Sequence, residues 1–114
     1  MGYALNEEQT QAVIQFIREK FWEYYLKNAE KLKIPSSMDK REFGFIPLRK
    51  EKIMVRHKGF KSAAQLADFI KTLVPSDSYY SSACYLNPSE EKMSDKGWVG
   101  ADLIFDIDCD HIQT

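Results

Sequence analysis

Between residues 102 and 111 two kinds of side chain alternate, and no other stretch restricts the fold as tightly. Even positions carry Asp102, Ile104, Asp106, Asp108 and Asp110; odd positions carry Leu103, Phe105, Ile107, Cys109 and His111. A β-strand sends successive side chains to opposite faces. The pattern predicts a strand over Ala101 to Asp108, with Leu103, Phe105 and Ile107 facing a core and Asp106 and Asp108 side by side on the other face. Paired carboxylates repel each other unless a cation neutralises them, and hard oxygen donors suit Mg2+ or Mn2+. A solvated acidic strand end is the plain alternative, because D-x-D is a short motif. An EF-hand loop is excluded: its sixth position requires Gly and here holds His111.

The rest of the chain supplies the partners such a strand needs. Asn6, with Gln9 in the capping-box position, opens a helix expected over residues 7–31. Val13, Ile14, Phe16, Ile17, Phe21, Tyr24 and Tyr25 recur in it at helical spacing, and Pro35-Ser36-Ser37 ends it. Arg41 to Leu48 reads as a strand that Pro47 closes, and Ile53 to His57 as a second. The short polar turn between them makes an antiparallel hairpin. Ser62 with Gln65 forms another capping box, for a helix carrying Ala63, Leu66, Phe69, Ile70 and Leu73 on one face and stopping before Pro75. The tyrosine-rich run Ser78 to Leu86 predicts a third strand. Residues 87–97 read as a loop, and Trp98 as a core anchor. The fold class is α+β, a small mainly antiparallel sheet with flanking helices.

Composition sets the scale. At 114 residues there is room for one domain, and seven Phe, six Tyr and two Trp argue against disorder. The formal net charge of −1 means that any contact with phosphates must come from a local basic patch. Cys84 and Cys109 lack ligand spacing and read as small buried thiols in a reducing compartment. No run resembles a signal peptide or a membrane span, so a soluble, cytoplasmic protein is expected.

Four ordered segments carry a family resemblance. Gly97-Trp98-Val99-Gly100-Ala101-Asp102-Leu103-Ile104-Phe105-Asp106-Ile107-Asp108-Cys109-Asp110-His111 closely resembles the catalytic stretch of archaeal-type DNA primase small subunits, where Cys109 is often Ala. Upstream, Arg41-Glu42-Phe43-Gly44-Phe45, Val55-Arg56-His57 and Tyr79-Tyr80-Ser81-Ser82-Ala83 resemble further signatures of that family, in the same order.

The resemblance implies a DNA-directed RNA polymerase that makes primers on single-stranded DNA from nucleoside triphosphates, paired with a large primase subunit. It assigns Asp106 and Asp108 as two of three catalytic carboxylates holding a pair of Mg2+ or Mn2+ ions. The third carboxylate, a structural Zn2+ cluster and a Ser/His nucleotide segment are expected beyond Thr114. Residues 1–114 would then be the front part of the catalytic domain, inactive alone.

Arg56, His57 and Arg41 are the candidate nucleotide-binding residues, since a guanidinium suits phosphate oxygens. A solvated hairpin flank, and an Arg41–Glu42 ion pair, are the alternatives. Tyr79, Tyr80 and Tyr85 could stack on bases or simply pack the sheet. His111 reads as a packed or capping histidine. Two other functions stay open: a primase-like module that binds DNA or the large subunit without catalysis, and a cation binder unrelated to replication.

Overall fold

A computed structural model describes residues 4–104, so Asp106, Asp108 and His111 lie outside the described residues. Helix α1 (Glu7–Asn28) begins at the expected cap. The Asn6 side chain accepts from the Gln9 backbone N–H, and the Gln9 side chain accepts from that of Asn6. It ends three residues early, tightening into a 3-10 turn over Ala29–Lys31. None of its residues is buried, and Phe16, Phe21, Trp22 and Tyr24 are exposed. Tyr25 packs partly buried against the core, and polar straps do the rest. Arg18 donates to the Leu48 and Leu73 carbonyls, the Tyr25 hydroxyl donates to the Pro75 carbonyl, and Glu7 and Glu30 pair with Lys50 and Lys71.

Strands β1 (Phe43–Pro47) and β2 (Val55–Lys58) form the expected antiparallel hairpin. Helix α2 (Ala63–Leu73) follows, its first turn capped by Ser62. The reciprocal half of that box is displaced by one residue: the Gln65 side chain accepts from the Lys61 N–H. Val74, in a left-handed conformation, turns the chain into β3 (Pro75–Tyr80), which pairs antiparallel with β1. The sheet order is β2-β1-β3. The core sits between its Phe43/Phe45 face and α2. Phe45 has no exposed surface, and Phe43, Phe60 and Phe69 surround it at ring-centroid distances of 5.0 to 6.3 Å.

The run expected as one strand over Ser78 to Leu86 is two. The chain turns a corner at Ser81-Ser82, and β4 (Ala83–Tyr85) leaves the first sheet to pair antiparallel with β5 (Trp98–Ala101). The loop between them contains a single helical turn, α3 (Met93–Lys96).

Three expectations about the last strand are corrected. It starts at Trp98, and its described ladder ends at Ala101, where the three-residue β4 runs out of partners. Trp98 is 68% exposed and so is no core anchor, and Leu103 is 83% exposed. Both lie in or after a two-stranded sheet whose Trp98 and Val99 positions are left uncovered among the described residues. Cys84 is half-buried, where full burial was expected.

Candidate functional site

Alternation along β1 decides what the site is built from. Phe43 and Phe45 point into the core, so Glu42 and Gly44 belong to the opposite face. There they help line a cleft of about 350 Å3 together with Met54, Arg56, Tyr79, Tyr80, Ser81, Tyr85 and Met93. Gly44 keeps it open, since a Cβ there would come within 3.3 Å of the Met54 side chain. A larger cleft, about 560 Å3, lies against α1 and the end of α2. Its two cations are already committed, Arg18 to backbone carbonyls and Lys71 to Glu30.

Glu42 is the hub of the smaller cleft. One oxygen, Oε2, accepts from Arg56 Nε at 3.3 Å and Nη2 at 3.2 Å. The other, Oε1, lies 3.0 Å from Lys96 Nζ and 3.7 Å from His57 Nδ1. Burial works to raise the Glu42 pKa, but the hydrogen bond and charge of Lys96, joined by Arg56, outweigh it and hold the carboxyl below its ordinary value. His57 adopts a left-handed backbone (φ 59°), uncommon for a residue with a Cβ, and its buried Nδ1 has no hydrogen-bond partner among the described residues. Arg56 stays half exposed, at 55% of its side chain. One carboxylate therefore faces an ammonium, a guanidinium and an imidazole, and the surplus of positive charge opens to solvent at Arg56.

Of the residues singled out from sequence, Arg56 and His57 are brought together and Arg41 is not. Arg41 is buried, and its guanidinium is committed in every direction. It donates to the carbonyls of Ser36 (2.8 Å), Ser81 (2.8 Å) and Ser82 (3.2 Å), and it pairs with the Asp102 carboxylate at 2.9 Å. The Arg41–Glu42 pair does not form, because neighbours on an extended chain point to opposite sides. Asp102 itself donates its backbone N–H to Ser82, so the segment leading to Asp106 is tied to the corner between the sheets. Among the described residues no three metal-ligating side chains cluster. No described helix is long and apolar enough to cross a membrane.

Lys96 is the residue that sequence reasoning missed. A lysine in a charged loop reads as solvated; the signal was Gly97 after it, whose left-handed conformation (φ 68°) closes α3 and folds the chain back. Lys96 has no exposed surface.

No family model matches the chain. Curated proteins do. The DNA primase small subunit PriS of Methanoregula boonei is 49% identical over 104 residues, covering 89% of this chain and 27% of that protein. The proteins of the same name from Archaeoglobus fulgidus and Pyrobaculum aerophilum are 46% and 48% identical, covering 85% and 86% of this chain and 29% and 30% of theirs. The chain spans less than a third of the length of these relatives. With its motif order, its α+β architecture and these identities in agreement, the chain belongs to the archaeal-type DNA primase small-subunit family.

Proposed function

We propose that this chain contributes to the nucleotidyl-transfer centre of a DNA primase, supplying two metal-binding carboxylates, Asp106 and Asp108, and an anion-accepting cleft at Arg56. The observation that carries the reading is the charge balance around Glu42, where Arg56 keeps an exposed guanidinium above a carboxylate already neutralised by Lys96. A triphosphate is the anion such a fork suits, because planar donors match phosphate oxygens. His57, next to Arg56 and 3.7 Å from Glu42, is the second candidate donor beside the cleft. Tyr79 and Tyr80, both exposed at the cleft, offer faces on which a base can stack. Arg41 takes a different part: it holds the corner from which the acidic segment departs.

The donor set of Asp106 and Asp108 is hard oxygen, which fits Mg2+ or Mn2+. Bound there, a divalent ion supplies charge neutralisation for a reacting phosphate and activation of the attacking hydroxyl. The reaction proposed is template-directed joining of ribonucleotides into primers on single-stranded DNA, in a heterodimer with the large subunit. The third carboxylate and the structural Zn2+ would come from sequence outside this chain.

Calorimetric titration with Mn2+ tests the carboxylate assignment. Wild type should bind the ion, and Asp106→Asn combined with Asp108→Asn should weaken binding at least tenfold. Equal binding by the two proteins would remove the metal role. Arg56→Ala should weaken metal-free ATP binding about tenfold while leaving Mn2+ binding unchanged.

A further inference from the structure

Full burial of Lys96 calls for an explanation, because lysines are almost never wholly buried unless paired. Among the described residues three groups surround its ammonium. Nζ donates to the Pro88 carbonyl at 2.6 Å, meets Glu42 Oε1 at 3.0 Å and lies 5.4 Å from the centre of the Tyr85 ring. The loop supplying Pro88 and Lys96 is closed at its base by backbone bonds from Asn87 to Lys96 (2.8 Å) and from Leu86 to Gly97 (2.9 Å), so the ammonium is delivered from a braced position.

The consequence lies in how Glu42 divides its oxygens. Both Arg56 contacts fall on Oε2, at 3.2 and 3.3 Å, while Oε1 faces Lys96. A carboxylate free at both oxygens grips a guanidinium through two parallel hydrogen bonds, the strongest arrangement open to the pair. That grip would spend the Arg56 fork inside the protein.

We propose that Lys96 is a positioning residue: by holding Oε1 of Glu42 it restricts Glu42 to a one-oxygen hold on Arg56 and leaves the guanidinium free to meet an anionic ligand in the cleft. The inference rests on the triphosphate reading of that cleft and adds the residue that keeps it receptive. Lys96 itself touches no ligand.

The test compares wild type, Lys96→Met, Lys96→Arg and the double variant Lys96→Met with Glu42→Gln. Binding of metal-free ATP is followed by calorimetry, and the Arg56 Nε–H resonance by 15N NMR. Lys96→Met should weaken ATP binding about tenfold and move the Arg56 resonance toward a more strongly hydrogen-bonded, slowly exchanging state. Removing the Glu42 charge in the double variant should restore affinity to within about twofold of wild type and return the resonance. Lys96→Arg, which keeps a cation there, should retain binding and serves as the folded control should Lys96→Met unfold.

Loss of a charge alone would change affinity without moving the Arg56 signal, and that result would overturn the proposal. So would a double variant as weak as the single one, the outcome of a merely structural lysine. If wild type binds no ATP, the triphosphate reading falls, while the Arg56 resonance in the variants still decides whether Lys96 sets the Glu42–Arg56 pairing.

Discussion

At the scale of single residues, Glu42 concentrates the chemistry of the cleft, and its charge ties stability to pH. Its carboxyl is held below the ordinary value of 4.5 in the folded chain, burial opposing and the Lys96 and Arg56 cations prevailing. A depressed folded pKa contributes stability that is fully present above the unfolded value and lost as pH falls through the folded one. Glu42→Gln should therefore be less stable than wild type at neutral pH, with the gap closing as pH falls below the ordinary carboxyl value and through the lowered folded one. Urea unfolding at a series of pH values checks this, and a gap constant from neutral to acid would contradict it. The sequence showed the right neighbourhood here but the wrong pairing. Adjacent residues invite a local ion pair, yet strand alternation sends Arg41 and Glu42 apart, and Glu42 finds its partners 14, 15 and 54 positions away at Arg56, His57 and Lys96. Nothing local to Lys96 encodes that distance.

At the scale of elements, helices were the most legible and strand ends the least. The side-chain caps at Asn6 and Ser62 are local hydrogen-bond patterns, so residue types alone located both helix starts. The extent of β3 was not legible, because the corner at Ser81-Ser82 coincides with the carbonyls that Arg41, forty positions earlier, draws inward. Tyrosines favour extended backbone but do not say which sheet it joins. Helix α1 also separates formation from attachment: its cap is strong, yet it buries no residue. Asn6→Ala should cost about 1 kcal/mol of local helix stability. Hydrogen exchange should then quicken roughly fivefold in the first turn, while the global unfolding midpoint stays put because that exposed turn lies away from Tyr25, where α1 meets the phenylalanine core. A matching fall in the midpoint would show that α1 is cooperative with the core.

At the scale of the whole molecule, two small sheets are joined at one corner, and Arg41 is the tie between them. It reaches Ser36 in the linker between α1 and β1, the corner carbonyls, and Asp102 beyond β5. The two sides of its ion pair are unequal. Arg41 is buried, whereas the Asp102 side chain is 51% exposed and its pairing is screened by water. Arg41→Ala should therefore destabilise by about 3 kcal/mol, leaving three partly buried carbonyls without their donor and removing a buried side chain. Asp102→Asn should cost less than about 1 kcal/mol. Urea unfolding gives both values, and hydrogen exchange should show the Arg41 variant loosening β4 and β5 before the β1–β3 sheet. Equal costs for the two variants would mean that the carbonyl contacts contribute nothing. The family motifs announced that both regions matter, but only the folded chain shows one residue linking them.

The hairpin loop from Asn87 to Gly97 carries a further constraint, on length. Surface loops ordinarily absorb an inserted residue at little cost. Here the closing turn must present one side chain inward at one position: Lys96 is bonded through its own carbonyl to Asn87 and through its ammonium to Pro88. An extra residue between Met93 and Gly97 would rotate that ammonium outward and bring a neighbour in its place. The spacing of this exposed and highly charged loop is therefore less free to drift than its composition suggests, and relatives that vary its residues would still be held to the same count.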